Sequence, residues 1–260
     1  MGNRVESGRT GMGQLQGKTA VITGATSGIG LATARRFAAE GAHVFITGRS
    51  KETLDKAIAE IGAAATGIQG DVANLADLDR LFAAVAQQGR RIDVLFANAG
   101  GGAFRRLGQV SEQHFDDIFA TNVKGLLFTV QKALPLLNDG ASVILTGSTS
   151  ASAGTEAFGV YGASKAAVRS FARTWANELK GRQIRVNTLT PGPTDTPGIT
   201  GLAPDAEKAV QLKGALAGKV PLGRMGSPDE IAASALFLAG DQSSFVTGIE
   251  LFVDGGVNQV

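Results

Sequence analysis

The chain has 260 residues, 43% hydrophobic and 18% charged, enough to bury a large single core and too apolar for a disordered protein. Its 25 Lys and Arg against 23 Asp and Glu leave a net charge of +2 without a basic run, which argues against nucleic acid as a partner. There is no cysteine, and His43 and His114 lie far apart with no H-x3-H spacing, so disulfides, thiolate chemistry and a Cys/His metal site have no basis.

Residues 1–14 are polar and glycine-rich, with Arg4, Glu6 and Arg9 and no apolar core of a secretory signal. They read as a disordered extension ahead of one domain over 15–260. No apolar run approaches the roughly 20 residues that cross a bilayer, and a soluble, cytoplasmic protein is expected. Short β-branched runs at 19–23, 43–47, 66–69, 94–97, 142–146, 185–189 and 250–253 predict strands. Between them, helical patterns fall at 28–40, 51–61, 75–88, 111–137, 161–179 and 228–238. Leu78, Leu81, Phe82 and Val85 show the spacing of one buried helix face. Strands apolar at nearly every position, alternating with helices, imply an α/β fold: a doubly wound parallel sheet, a Rossmann-type three-layer sandwich, in a single domain. Such sheets bind ligands beyond the carboxyl ends of their strands.

The glycines cluster there. Thr23-Gly24-Ala25-Thr26-Ser27-Gly28-Ile29-Gly30 follows the first strand and opens the first helix, where missing β-carbons permit a tight turn and let a pyrophosphate approach backbone N–H groups. The spacing is G-x3-G-x-G, and a βα turn without a nucleotide uses the same residues. After the third strand, Asp71 can accept from an adenine amino group and Val72 can cover the ring. Asn98-Ala99-Gly100 follows the fourth strand. The second strand ends in Thr47-Gly48-Arg49-Ser50, with no carboxylate to bind a ribose 2′-hydroxyl, whereas Arg49 can pair with a 2′-phosphate. This favours NADP(H) over NAD(H). A solvated arginine at a helix start is the alternative.

The fifth strand runs into Ser148, and Tyr161, the only tyrosine, precedes Lys165 by one helical turn. A phenol has an ordinary pKa near 10, and a neighbouring ammonium is expected to stabilise its phenolate and make it an acid/base. A half-buried tyrosine beside a snorkelling lysine would look the same. The serine and the glycine turn together make the functional reading the better one.

With these motifs the chain resembles the short-chain dehydrogenase/reductase family, in its NADP-preferring, 3-oxoacyl reductase-like branch, from about Lys18 onward. The resemblance implies a catalytic set of Asn122, Ser148, Tyr161 and Lys165, with Lys165 also bonding the nicotinamide ribose and Asn122 holding a water that links Lys165 to solvent. It implies that Pro191, Gly192, Thr194 and Thr196 hold the nicotinamide carboxamide, Thr194 by its backbone and Thr196 by its side chain. Val253-Asp254-Gly255-Gly256 looks like the family's last strand and turn. A small carbonyl or alcohol substrate and a homotetramer are expected; an NAD-dependent alcohol dehydrogenase or a cofactor-sensing protein without turnover are the other readings. Specificity is expected from 101–109 and from 193–220, an Ala- and Gly-rich segment read as mobile. Phe104, Phe158, Leu202 and Leu212 suggest an apolar pocket, and Arg105, Arg106, Arg169 and Arg173 could attract an acidic carrier or simply be solvated.

Overall fold

Thr19–Thr23 (β1) is buried at every position, and its side chains divide between two apolar clusters. Ala20 and Ile22 join Ala34, Phe37, Leu54 and Leu236 on one side, while Val21 joins Leu81, Val85, Leu126 and Val168 on the other. Successive strand side chains point to opposite faces, so a strand with no polar face must be covered twice. That is the architecture of the computed structural model, which describes residues 13–260.

After β1 come α1 (Gly28–Ala39), β2 (His43–Gly48), α2 (Lys51–Ile61), β3 (Ala65–Gln69), α3 (Leu75–Gln87) and β4 (Ile92–Ala97). The second half comprises α4 (Glu112–Phe119), α5 (Leu126–Ala133), β5 (Leu137–Thr146), α6 (Gly159–Glu178), β6 (Arg185–Pro191), α7 (Pro197–Thr200), α8 (Ala206–Ala217), α9 (Pro228–Ala239) and β7 (Glu250–Val253). The seven strands are all parallel, in the order β3-β2-β1-β4-β5-β6-β7. The order reverses between β1 and β4, which opens a crevice at their carboxyl ends. One face carries α1, α2 and α9 and the other α3, α5 and α6. The expected single-domain three-layer fold is therefore present.

Two expectations need correction. The helix expected over 111–137 is three pieces: α4, a π-helical turn at Ala120–Gly125, and α5. It stops at Ala133 because Pro135 has no amide to continue it, and Leu137 already belongs to β5. The segment 193–220, expected as a mobile loop, contains α7 and α8, whose starts are capped by Thr196 and Asp205. Its Ala and Gly content hides any helical period, and a Lys213–Asp195 ion pair of 2.7 Å ties α8 to the loop after β6.

Residues 1–12 of the expected extension lie outside the described residues. Gln14 is held by a 2.9 Å hydrogen bond from its N–H to the Glu40 carboxylate, and Leu15 is buried. Among the described residues, no helix is long and apolar enough to cross a membrane.

Candidate active site

At the end of β1 the chain turns through Gly24 (φ +64°) and Gly28 (φ +54°), both left-handed. A β-carbon on Gly30 would lie 2.3 Å from the Gly24 carbonyl oxygen, and one on Gly24 would lie 2.8 Å from Ala99 Cα. Only glycine fits this turn. Ser27 is the N-cap of α1, yet its side chain makes no cap hydrogen bond, and the first turn carries no acidic residue. The helix therefore presents unsatisfied N–H groups to the crevice, whereas α2, α3, α4, α8 and α9 are all capped by side chains. Thr26 and Ile29 complete the turn. Thr196 closes over it, its Cβ and Cγ2 each 3.3 Å from where a Gly28 β-carbon would be. A backbone cradle that β-carbons would fill, facing an uncapped helix start, fits a pyrophosphate.

The neighbouring strand ends stand where expected, and their contacts within the protein are specific. Asn98 braces the cradle: its Nδ2 donates to the carbonyls of Thr23 and Gly24, each at 3.1 Å. Thr23 Oγ1 accepts from the N–H groups of Asn98 and Ala99, both at 3.0 Å. Val72 is buried beneath Gly125, so it supports the crevice wall as core. Asp71 Oδ1 accepts from Ala73 N at 2.9 Å. Arg49 is exposed at the end of β2, with its carbonyl held by Gln69 Nε2 at 2.9 Å. A β-carbon at Gly48 would stand 2.3 Å from Thr26 Cγ2, so a carboxylate there would have to displace Thr26.

Across the crevice, Ser148 ends the loop after β5 and caps a short turn, Thr149–Ala151, its Oγ accepting from Ser150 N at 3.2 Å. That bond occupies a lone pair and leaves the hydroxyl proton to donate elsewhere. Tyr161 lies in the first turn of α6. Gly162 lets the helix approach, since a β-carbon there would lie 2.6 Å from the Ser150 carbonyl. Burial pushes the Tyr161 phenol above its ordinary value, and a hydrogen bond with Ser148 works the other way.

The expected depression by Lys165 is not the governing effect. Lys165 is buried, its Nζ donates to the Thr146 carbonyl at 2.8 Å, and it stands 5.7 Å from the Tyr161 ring centroid. Loss of hydration brings its own ammonium down to about 8.

Asn122 is fully buried on the π turn. Its Oδ1 accepts from Gly101 N at 3.0 Å, and its Nδ2 donates to Gly101 O and Ser164 Oγ, both at 2.9 Å. Both carboxamide N–H groups are thus committed to protein, which leaves a water only the second lone pair of Oδ1 and the backbone. A β-carbon on Gly100 would be 3.1 Å from Asn122 Oδ1 and 3.2 Å from Lys165 Nζ, so the bare glycine keeps a gap bordered by both groups. The π turn is what lets asparagine project here from a helical run.

Beyond Gly192, Thr194 is buried with its hydroxyl donating to the Gly192 carbonyl at 3.0 Å, consistent with a backbone role at most. Thr196 accepts from Ile199 N at 3.3 Å and keeps its proton. Phe104, Phe158 and Tyr161 form a row of rings 4.7 Å and 4.4 Å apart. Arg106 pairs with Glu156 at 2.9 Å and Arg169 with Glu250 at 3.2 Å, so these two arginines have structural partners. Sequence reasoning missed Ser164, although it lies between Tyr161 and Lys165, and the Thr146 carbonyl, which no side-chain pattern reveals. Among the described residues, no group of three or more His, Cys, Asp or Glu could hold a metal ion.

The sequence family described as Enoyl-(Acyl carrier protein) reductase matches residues 24–258. The chain is 47% identical over 251 residues to "Oxidoreductase asL5" of Sarocladium schorii, covering 95% of this chain and 98% of that one. A solved "short chain dehydrogenase/reductase family protein" superposes with a TM-score of 0.84 at 40% identity, covering 95% of this chain and all of that one. A 3-ketoacyl-(acyl-carrier-protein) reductase of Brucella melitensis, solved in complex with NADH, superposes with a TM-score of 0.87 at 34% identity, covering 94% and 99%.

Proposed function

The chain belongs to the short-chain dehydrogenase/reductase family, and from that premise we propose that it is an NADP(H)-dependent oxidoreductase acting on a carbonyl or alcohol carbon. The observation that carries this reading is the convergence of Ser148, Tyr161 and Lys165 on a crevice whose far end is a glycine-lined turn at a helix start without a side-chain cap. When bound, the nicotinamide supplies or accepts the hydride.

Gly24, Thr26, Ser27, Gly28, Ile29 and Gly30 hold the pyrophosphate on backbone N–H groups. Asp71 and the backbone at Val72 face the adenine, while Asn98, Ala99 and Gly100 keep the cradle's shape. Pro191, Gly192, Thr194 and Thr196 hold the carboxamide end. Arg49 pairs with the 2′-phosphate, and the crowding of Gly48 against Thr26 keeps a competing carboxylate away from that ribose.

In the reducing direction, Ser148 and Tyr161 donate to the carbonyl oxygen, stabilise the charge that builds on it, and Tyr161 delivers the proton. A phenol kept protonated by burial suits that role. Lys165 bonds the nicotinamide ribose and, with an ammonium near 8, can pass a proton on at neutral pH. The gap beside Gly100 suits a water that connects it through Asn122 to solvent.

The protein acts as a homotetramer in the cytoplasm, a compartment its cysteine-free sequence suits. An NAD-dependent enzyme is the second reading, favoured by the NADH named for the Brucella structure. A panel of ketones, keto-esters and 3-oxoacyl thioesters assayed with NADPH and NADH tests the proposal. Turnover with NADPH at the higher kcat/KM is the expected result; no turnover with either cofactor would favour a sensor, and equal use would remove the NADP assignment.

A further inference from the structure

The turn after β7 reaches two walls of the crevice at once. Asp254 is buried, and its carboxylate accepts from Gly256 N and Asn258 N, each at 2.9 Å, which fixes the path of the chain. Gly192 N donates to the Val253 carbonyl at 3.0 Å, and a β-carbon on Gly192 would lie 2.6 Å from Asp254 Cα, so the turn is seated against the carboxamide-side loop. From this seat the Asn258 carboxamide donates to Ser152 Oγ at 2.6 Å and to the Thr149 carbonyl at 3.2 Å. These two acceptors belong to the short turn that Ser148 caps.

The turn carrying Ser148 is therefore gripped from both sides. Gly162 of α6 presses on the Ser150 carbonyl from the Tyr161 side, and Asn258 holds Thr149 and Ser152 from the other. The same β7 turn accepts Leu222 N on the Gly255 carbonyl at 3.2 Å, at the base of the segment bearing α8. A three-residue 3₁₀ turn has few hydrogen bonds of its own, so its orientation depends on outside contacts.

We propose that Asn258 is a positioning residue for Ser148: its two side-chain hydrogen bonds fix the turn that aims the Ser148 hydroxyl at the substrate oxygen. The inference rests on the reading of Ser148 as a donor to that oxygen. A catalytic donor displaced by a fraction of an ångström loses much of its effect, while a cofactor bound elsewhere in the crevice is not affected.

The test is a double-mutant cycle in the full chain, combining Asn258→Ala with Ser148→Ala and, because a smaller side chain could loosen the turn itself, repeating it with Asn258→Asp, which keeps the shape and loses both N–H donors. Each Asn258 variant is expected to lower kcat by about tenfold, to leave the cofactor KM within about twofold, and to cost nothing further once Ser148 is alanine. Wild-type kcat in both Asn258 variants overturns the proposal, as does an equal loss with and without Ser148, since a merely structural role gives additivity. If Ser148→Ala is itself severely impaired while the Asn258 variants run at full rate, only the positioning role fails; Ser148→Ala at the wild-type rate overturns both this proposal and the donor reading beneath it.

Discussion

At the glycine turn after β1 the decisive features are missing atoms: β-carbons on Gly24 and Gly30 would strike backbone, and the first turn of α1 has no side-chain cap. At the opposite end of the crevice the decisive features are polar groups set among apolar ones. Lys165 is buried on a backbone carbonyl, Asn122 is fully enclosed, and Tyr161 is pushed away from ionising by burial. The first region offers an anion only backbone and asks nothing of titration. The second turns on two titratable side chains, Tyr161 and Lys165, and holding the lysine charged in the interior costs stability. Substitutions at the two ends should therefore fail in opposite ways.

The largest effect is expected from Gly30→Ala. The added carbon must displace the Gly24 carbonyl, a backbone atom, so the turn cannot form as it stands. Cofactor binding should vanish in titration calorimetry, with a stability loss of about 1–3 kcal/mol from overpacking. Retained binding would show that the turn is not the cradle.

Lys165→Met should do the reverse, lowering turnover by about 10²–10⁴-fold while raising stability at neutral pH. The sign follows from burial: with a pKa near 8 folded against its ordinary 10.5, Lys165 binds protons more weakly in the folded state. Its penalty is full below about pH 8 and fades as pH rises toward 10.5. The variant's advantage, on the order of 1–3 kcal/mol, should shrink over that window in denaturant melts. A variant less stable at pH 7 than at pH 10, relative to wild type, would show that Lys165 carries no burial penalty.

Smallest is Arg49→Ala, at the exposed rim of the phosphate end. It should weaken NADPH by about ten- to a hundredfold and leave NADH nearly untouched, measured as kcat/KM at one ionic strength. Unchanged preference would make Arg49 a solvated helix-start residue.

The two ends also differ in how far they could be read before the fold was known. Gly24, Gly28 and Gly30 were legible because a missing β-carbon leaves its mark in residue identity, and Tyr161 with Lys165 because i, i+4 spacing fixes a shared helix face. Asn122 was placed through resemblance alone, since a π turn has no sequence period and the helical pattern ran straight through it. Pro135 lies inside the expected range 111–137, and its missing amide marks where that helix stops. Position after a strand marks Asn98 and Val72 as crevice residues but does not show that Asn98 donates to the Thr23 and Gly24 carbonyls or that the Val72 side chain packs in the core. The direction of the Tyr161 shift depends on burial, a property of the folded chain that spacing to Lys165 does not carry.

In the proposed mechanism Tyr161 moves the proton in a crevice whose cofactor site is built separately. Tyr161→Phe, followed by steady-state turnover and by cofactor binding in the same preparation, tests it most directly. Turnover is expected to fall by roughly 10²-fold or more with cofactor affinity within about twofold of wild type, because one hydroxyl is lost while the ring still packs on Phe158. A variant that keeps more than about a tenth of the wild-type rate, against that expected loss, would contradict it.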